Sequence, residues 1–180
     1  MPVAQQRWRR ALRILIGIVL MGGFVVVVFV VLSRYAGAWG VPYFSFTTER
    51  GSTCTNDFAG YTCTELTLAE VEYFGQFDLP DDTTVLHGRY RSTHDYQLEA
   101  LLSVPPASRA AALKSLHSGF GPCVKDRLSP LDPAGVTKLC VMATDDTVRE
   151  SGEPASRIYS IGTGVRKDGT RAIALSIKSR

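Results

Sequence analysis

The sequence predicts an α+β protein: one N-terminal transmembrane helix, then an antiparallel sheet covered by one or two helices. Three observations carry this. Residues Ile14 to Leu32 read ILIGIVLMGGFVVVVFVVL, nineteen residues without a charge, an amide or a hydroxyl. Several later segments alternate polar and apolar residues at the two-residue period of a half-buried strand. Ser108 to Ser118 instead carries the apolar spacing of an amphipathic helix.

In the first stretch, fifteen of the nineteen residues are Ile, Leu, Val or Phe. At about 1.5 Å of rise per residue it makes a helix of about 28 Å, close to the ~30 Å hydrocarbon core of a bilayer. Such residues favour insertion by roughly 0.3 to 0.6 kcal/mol each near the helix centre. A water-soluble core helix would carry a polar stripe, and this one has none. The expected partner of residues 14–33 is therefore the lipid bilayer. Arg7, Arg9, Arg10 and Arg13 precede the span, and only Arg34 follows it before Arg50. Basic residues stay on the cytoplasmic side, which predicts an N-terminus inside and residues 34–180 outside. Trp8 at one boundary, and Tyr35 and Trp39 at the other, suit headgroup depth. Gly17, Gly22 and Gly23 lack the small-xxx-small spacing of a helix dimer. Ala36-Gly37-Ala38 has the form of a signal-peptidase site, but the apolar run exceeds the usual ~7–15 residues of a signal peptide. The expectation is a retained signal-anchor, cleavage after Ala38 being the rival.

This divides the chain into a cytoplasmic tail (1–13), a transmembrane signal-anchor helix (14–33), a juxtamembrane link (34–48) and an extracytoplasmic disulfide-stabilised α+β domain (49–180). The formal net charge of +3 belongs to the tail. With its four arginines set aside, residues 34–180 hold sixteen basic and seventeen acidic residues, a balance of −1. The positive total is a topology signal, and no basic-aromatic pattern points to nucleic acid. All four cysteines, Cys54, Cys63, Cys123 and Cys140, fall on the side placed outside. Four cysteines in an exported domain imply two disulfides with three possible connectivities. Cys54–Cys63 and Cys123–Cys140 are favoured because each closes a short local loop. Zinc ribbons want paired CxxC knuckles, and neither spacing matches.

Tyr43 to Thr47 reads as a short strand, and Glu49 to Thr64, rich in Thr, Ser, Gly and Asn, as a loop pinned by the first cysteine pair. Thr67-x-x-Glu70 has the form of a capping box. It can open a short helix, Leu68 to Phe77, with Leu68, Val71 and Phe74 on one face, a strand being the alternative. Leu79-Pro80-Asp81-Asp82 is a turn. Thr84 to Ser92 is a strand with Leu86, Gly88 and Tyr90 on one side and His87, Arg89 and Arg91 on the other. Tyr96 to Val104 is its partner, with Tyr96, Leu98, Ala100, Leu102 and Val104 facing one way, and Pro105-Pro106 ends it. Ser108 can cap the next helix and Gly119 can end it; Ala112, Leu113, Leu116 and Phe120 form its buried stripe. Gly121 to Gly135, with three prolines, is a loop, Leu139 to Ala143 a short strand, and Thr144 to Ser156 polar and exposed. Arg157 to Val165 and Thr170 to Ile177 form a hairpin around Lys167-Asp168-Gly169. A three-residue loop with Gly169 left-handed pairs Arg166 with Thr170. That register puts Tyr159, Ile161 and Val165 on the face of Ile173, Leu175 and Ile177, and a one-residue slip would flip them. The sheet is expected to have about five strands.

The chemistry-bearing residues are few. His87, Arg89 and Arg91 form a basic stripe able to receive an anion, and His94 and Asp95 follow in the connection; these five are the candidate binding residues. An acid–base site of His87, Asp95 and Arg91 is the enzymatic alternative. His117 sits in the last turn of its helix, where positive charge is favourable. Residues 51–88 hold seven acids and no Lys or Arg. Asp78, Asp81 and Asp82 among them lack the DxDxDG spacing of a calcium loop. Gly162-Thr163-Gly164 resembles half of a phosphate-binding loop, but no helix N-terminus follows to give it a mechanism. No GxSxG, SxxK, HExxH or Cys-His nucleophile pattern is present. The expectation is no catalytic constellation, no metal and no cofactor.

LPDDTTVLHGRYRSTHDYQLEALLSVP, followed by an Ala-rich helix and a Gly-Pro-Cys loop, resembles small exported domains of actinomycetes. Those open on an LP-acidic-Thr turn and run strand, Asp-containing connection, strand ending in Val-Pro. The resemblance covers about residues 79–123. It implies a domain behind a single span or lipid anchor, with a two-strand-then-helix order, and carries no functional residue. Together these readings imply a single-pass membrane protein with an extracytoplasmic binding domain in the cell envelope. Its partner would be another membrane component or a cell-wall component. The alternatives are an accessory subunit of a membrane complex and an envelope hydrolase.

Overall fold

The computed structural model describes residues 3–144 and 157–179. The chain begins with a long helix, α1 (Val3–Tyr35). Its Leu12–Tyr35 portion is long and apolar enough to cross a membrane, and none of that window is buried inside the protein. The helix starts well before the apolar run, so most of the expected tail continues it.

The rest is α+β, as the alternation implies. Eight strands form one fully antiparallel sheet: β1 (Ser45–Thr47), β2 (Thr53–Asn56), β3 (Tyr61–Glu65), β4 (Thr84–Ser92), β5 (Tyr96–Val104), β6 (Val136–Ala143), β7 (Arg157–Arg166) and β8 (Arg171–Ser179). Their order is β1-β2-β3-β4-β5-β8-β7-β6. The first five strands make a meander. The chain then carries α3 (Arg109–Phe120) across one face, enters β6 at the far edge and returns to set β8 beside β5. The sheet has three more strands than expected. Two of them, β2 and β3, replace the loop read over Glu49 to Thr64: the threonine-rich run is a hairpin in which Cys54 lies directly opposite Cys63. Thr suits a strand as well as a loop, and the disulfide closes the pair. The part of the polar stretch that spans residues 145–156 lies outside the described residues.

Helix α2 (Leu68–Gly75) starts where the capping box places it, with Thr67 Oγ1 accepting from Glu70 N. The box is only half closed. The Glu70 side chain turns instead to Thr48 Oγ1 and to Arg50 Nη1, 3.8 Å away. In α3 the cap Ser108 makes no side-chain bond to the helix; its hydroxyl donates to Asp82 Oδ2 at 2.6 Å. Helix α3 runs past Gly119 to Phe120 and ends at Gly121, whose φ is 83°.

One core lies between the sheet and the two later helices. Leu98, Leu102, Ile161, Ile173 and Ile177 from the strands meet Val71 of α2 and Leu116 of α3, all fully buried. At roughly 25 cal/mol per Å² of apolar surface removed from water, burying each such side chain contributes about 1.5–3 kcal/mol. The C-terminal hairpin has the anticipated register: Arg166 N donates to Thr170 O at 2.8 Å, and Gly169 has φ 83°. Ile161 lies opposite Leu175 and Tyr159 opposite Ile177. Strand β4 departs from simple alternation. A bulge between Val85 and His87 turns Leu86 outward, 49% exposed, and packs Val85 on the core instead. An aromatic ladder crosses the sheet through Phe46, Tyr61, Tyr90 and Tyr96, and Phe74 of α2 stacks on Tyr90 with ring centroids 3.6 Å apart. Burial raises the Tyr90 hydroxyl well above its ordinary pKa.

The opposite face of the sheet is partly covered. Residues 129–136 cross it, and Leu131 packs with Ala172 and Ala174 as a small second core. Gly162 and Gly164 make this approach possible. A Cβ on Gly162 would fall on Ser129 Oγ and 3.0 Å from Leu131 Cβ, and one on Gly164 2.8 Å from Val136 Cβ. Gly162-Thr163-Gly164 is thus mid-strand packing rather than a phosphate loop.

Candidate functional site

Beyond that loop the face is open and polar. Side chains directly opposite one another in paired strands share a face, so the register lays out its rows. One row runs Ser45, Thr55, Thr62, Arg91, Gln97, Lys178 across β1, β2, β3, β4, β5 and β8. A second places Arg89 beside Glu99 and Ser176. Ser45 and Thr55 share a hydrogen bond of 2.9 Å, and Gln97 Nε2 donates to Glu99 Oε1 at 2.6 Å.

Beside Arg91 and Gln97 in the first row the β4–β5 connection folds up. Thr93 N and Thr93 Oγ1 both donate to Asp95 O, at 2.9 and 3.0 Å, which closes the turn. Tyr96 N donates to Ser179 Oγ at 2.8 Å and ties the turn to the last strand. The result is a groove of about 310 Å³ lined by Arg91, Thr93, Asp95, Gln97 and Lys178, with Tyr96 and Ser179. A smaller hollow of about 100 Å³ adjoins it, between Arg89, Arg91, Gln97 and Glu99. Arg91 and Gln97 belong to both. With strands ~4.8 Å apart, Arg91 and Lys178 stand about 10 Å from each other across Gln97.

Of the five candidate binding residues, the fold brings together Arg89, Arg91 and Asp95. His87 is exposed and lines neither hollow, and His94 stands at the tip of the turn. Among the described residues His87, Asp95 and Arg91 share no hydrogen bond, so the acid–base arrangement the sequence allows is not assembled. Gln97, Lys178, Thr93 and Ser179 escape a sequence reading. Lys178 reaches the groove only because β8 pairs with β5, and no local pattern announces a pairing across that many residues.

Both favoured disulfides form, Cys54–Cys63 and Cys123–Cys140. The first is sealed in the core, its cysteines 1% and 0% exposed. The second joins the loop after α3 to β6. His117, read from the sequence as a helix-end cation, also stands over this bridge, with Nε2 3.6 Å from Cys123 Sγ and 3.8 Å from Cys140 Sγ. These three residues are the grouping with metal-ligand spacing among the described residues. Their sulfurs are bonded to each other and so are not free thiolate ligands.

No protein-family description, curated protein or solved structure matches the chain. Its chemistry therefore rests on its own residues. Two cations flanking an amide, with hydroxyls on both sides and one carboxylate at the rim, can hold an anionic or hydroxyl-rich group. They supply no nucleophile with a base beside it.

The end of α1 is built into the fold. Ala36 is 6% exposed, and Ala36 N donates to Leu32 O at 2.8 Å, extending the helix hydrogen bonding past Tyr35. Gly37 is buried, and a Cβ there would fall on the Ser45 carbonyl of β1. Trp39, Tyr43 and Phe58 project beside this joint, 62%, 73% and 81% exposed.

Proposed function

We propose that this chain is a single-pass membrane protein that binds a component of the cell envelope with the open polar face of its sheet. The N-terminus is cytoplasmic and the sheet domain extracytoplasmic. The arginines before the span and two disulfides after it support that orientation, because disulfides persist in oxidising compartments. The bilayer is the first partner, through residues 14–33, with Trp39, Tyr43 and Phe58 at the outer headgroups. Retention of the span is supported by Ala36 and Gly37, which are packed against the sheet where a cleavage site would need to be extended and accessible.

The groove between Arg91 and Lys178 carries the binding reading. It offers two cations, a turn and a row of hydroxyls on a rigid sheet, the donors that an anionic, hydroxyl-bearing polymer or headgroup requires. Binding of a polyuronate to the full chain in detergent, followed by calorimetry, tests it. Binding that weakens about tenfold or more in Arg91→Ala/Lys178→Ala, a loss of about 1.4 kcal/mol, supports the site. Equal binding by the double variant removes it. A reporter at the C-terminus that works only in the cytoplasm would overturn the orientation.

A further inference from the structure

The two disulfides occupy opposite environments, and the contrast points to chemistry at one of them. Cys54–Cys63 is inaccessible, packed in the core under the aromatic ladder. In Cys123–Cys140 the two sulfurs differ: Cys123 is exposed and Cys140 is 7% exposed. An incoming thiolate has access to Cys123 and not to Cys140. The imidazole of His117 lies within 3.6–3.8 Å of both sulfurs. It is open to solvent on its other side. Thiol–disulfide exchange needs an attackable sulfur and a leaving sulfur, and a group that stabilises or protonates the departing thiolate speeds it.

We propose that Cys123–Cys140 is an exchange-active disulfide for an external thiol, with His117 as its general acid. The thiolate attacks Cys123 Sγ and forms a new S–S bond there. The Cys123–Cys140 bond breaks, and its electron pair leaves on Cys140 Sγ. The His117 imidazolium gives that thiolate its proton and becomes neutral. A second thiolate attacks the external sulfur of the mixed disulfide, releasing the oxidised thiol and leaving Cys123 reduced. Two electrons pass from two thiols to one protein disulfide. Opening the bridge also detaches the loop after α3 from β6, the same loop whose Leu131 covers part of the outer sheet face.

The test uses the full-length protein in detergent with reduced glutathione at one fixed pH, quenched by acid and mapped by mass spectrometry. The expected result is a glutathione adduct on Cys123, with this bridge opening at least about tenfold faster than Cys54–Cys63. His117→Ala slows that opening by about tenfold or more and leaves Cys54–Cys63 unchanged, and added imidazole restores part of the rate. If His117→Ala disturbs the fold, both bridges open together, and His117→Gln, which keeps the side-chain amide near the sulfurs without a transferable proton, replaces it. Equal opening of the two bridges, an adduct on Cys140, or an unchanged rate in a folded His117 variant would overturn the proposal.

Discussion

Asn56 Nδ2 donates to the Gly37 carbonyl at 2.6 Å, inside the protein. The bond joins β2 to the turn at the end of the apolar helix. Around it Tyr43 N donates to Asn56 O, and Asn56 N to Phe44 O. The helix thus enters the domain through a buried hydrogen-bonded joint, and the domain's tilt on the helix is set by short-range bonds.

Removing that amide leaves the Gly37 carbonyl buried without its partner. Asn56→Ala should cost about 1–3 kcal/mol in thermal unfolding of the detergent-solubilised chain. Gly37→Ala should cost at least as much, because its Cβ meets backbone rather than a movable side chain. Spin labels on the helix and on β4 should show a broadened distance distribution in both variants. Unchanged distributions would mean that the joint is held by something else.

Leu86 and Val85 exchange the roles that simple alternation assigns them. Leu86→Asp should change stability by no more than about 0.5 kcal/mol, as at an ordinary surface position. Val85→Asp should cost about 2 kcal/mol or more, because it places a carboxylate against the core. Chemical denaturation of the two variants checks this, and the reverse ranking would remove the bulge.

Glu72 carries a pH signature. Its Oε1 accepts from Leu79 N at 2.8 Å. Burial raises its pKa above the ordinary 4.5, the Leu79 bond opposes this, and Asp78 and Asp81 add to the rise. The folded state therefore holds this proton more tightly than the unfolded chain does. Stability contributed by the protonated form is present below the unfolded value and declines as pH rises through the folded one. Glu72→Gln keeps an acceptor for Leu79 N and has no charge to bury. It should be more stable than the parent at neutral pH, with the gap closing below about pH 4. A gap independent of pH would assign the effect to packing.

Gly162 is where the covering loop approaches the back of the sheet. Gly162→Val should displace Ser129 and Leu131 and cost about 1–3 kcal/mol. Hydrogen exchange should quicken at Leu131 and Val136 while β5 and the core face of β8 stay protected. Uniformly faster exchange would instead indicate global unfolding.

The legible parts were those whose physics is local. The long apolar helix follows from an uninterrupted apolar run of bilayer length. Strands β4 and β5 follow from alternation between turn residues, and the register of the last hairpin from Gly169 and the requirement that Ile173, Leu175 and Ile177 share a face. The hairpin of β2 and β3 was missed because its threonines and cysteines serve a loop as well as a strand. The bulge at Leu86 was missed because the neighbouring strand decides it. At the candidate site, Arg89, Arg91 and Asp95 were legible as a basic strand face beside a turn. His87 shares their strand and sits too far along it to line the groove.

By itself the sequence determined that an apolar helix begins the chain and that an antiparallel α+β domain follows, and it favoured one of three cysteine pairings, since all of these depend on composition and spacing within a few tens of residues; the pairing itself is decided by the fold. Only the tertiary structure decided that β8 lies beside β5, which brings Lys178 to Arg91. It alone decided that α3 ends over β6, which brings His117 to a disulfide. Contacts between distant segments depend on how whole elements pack, and no local periodicity encodes them.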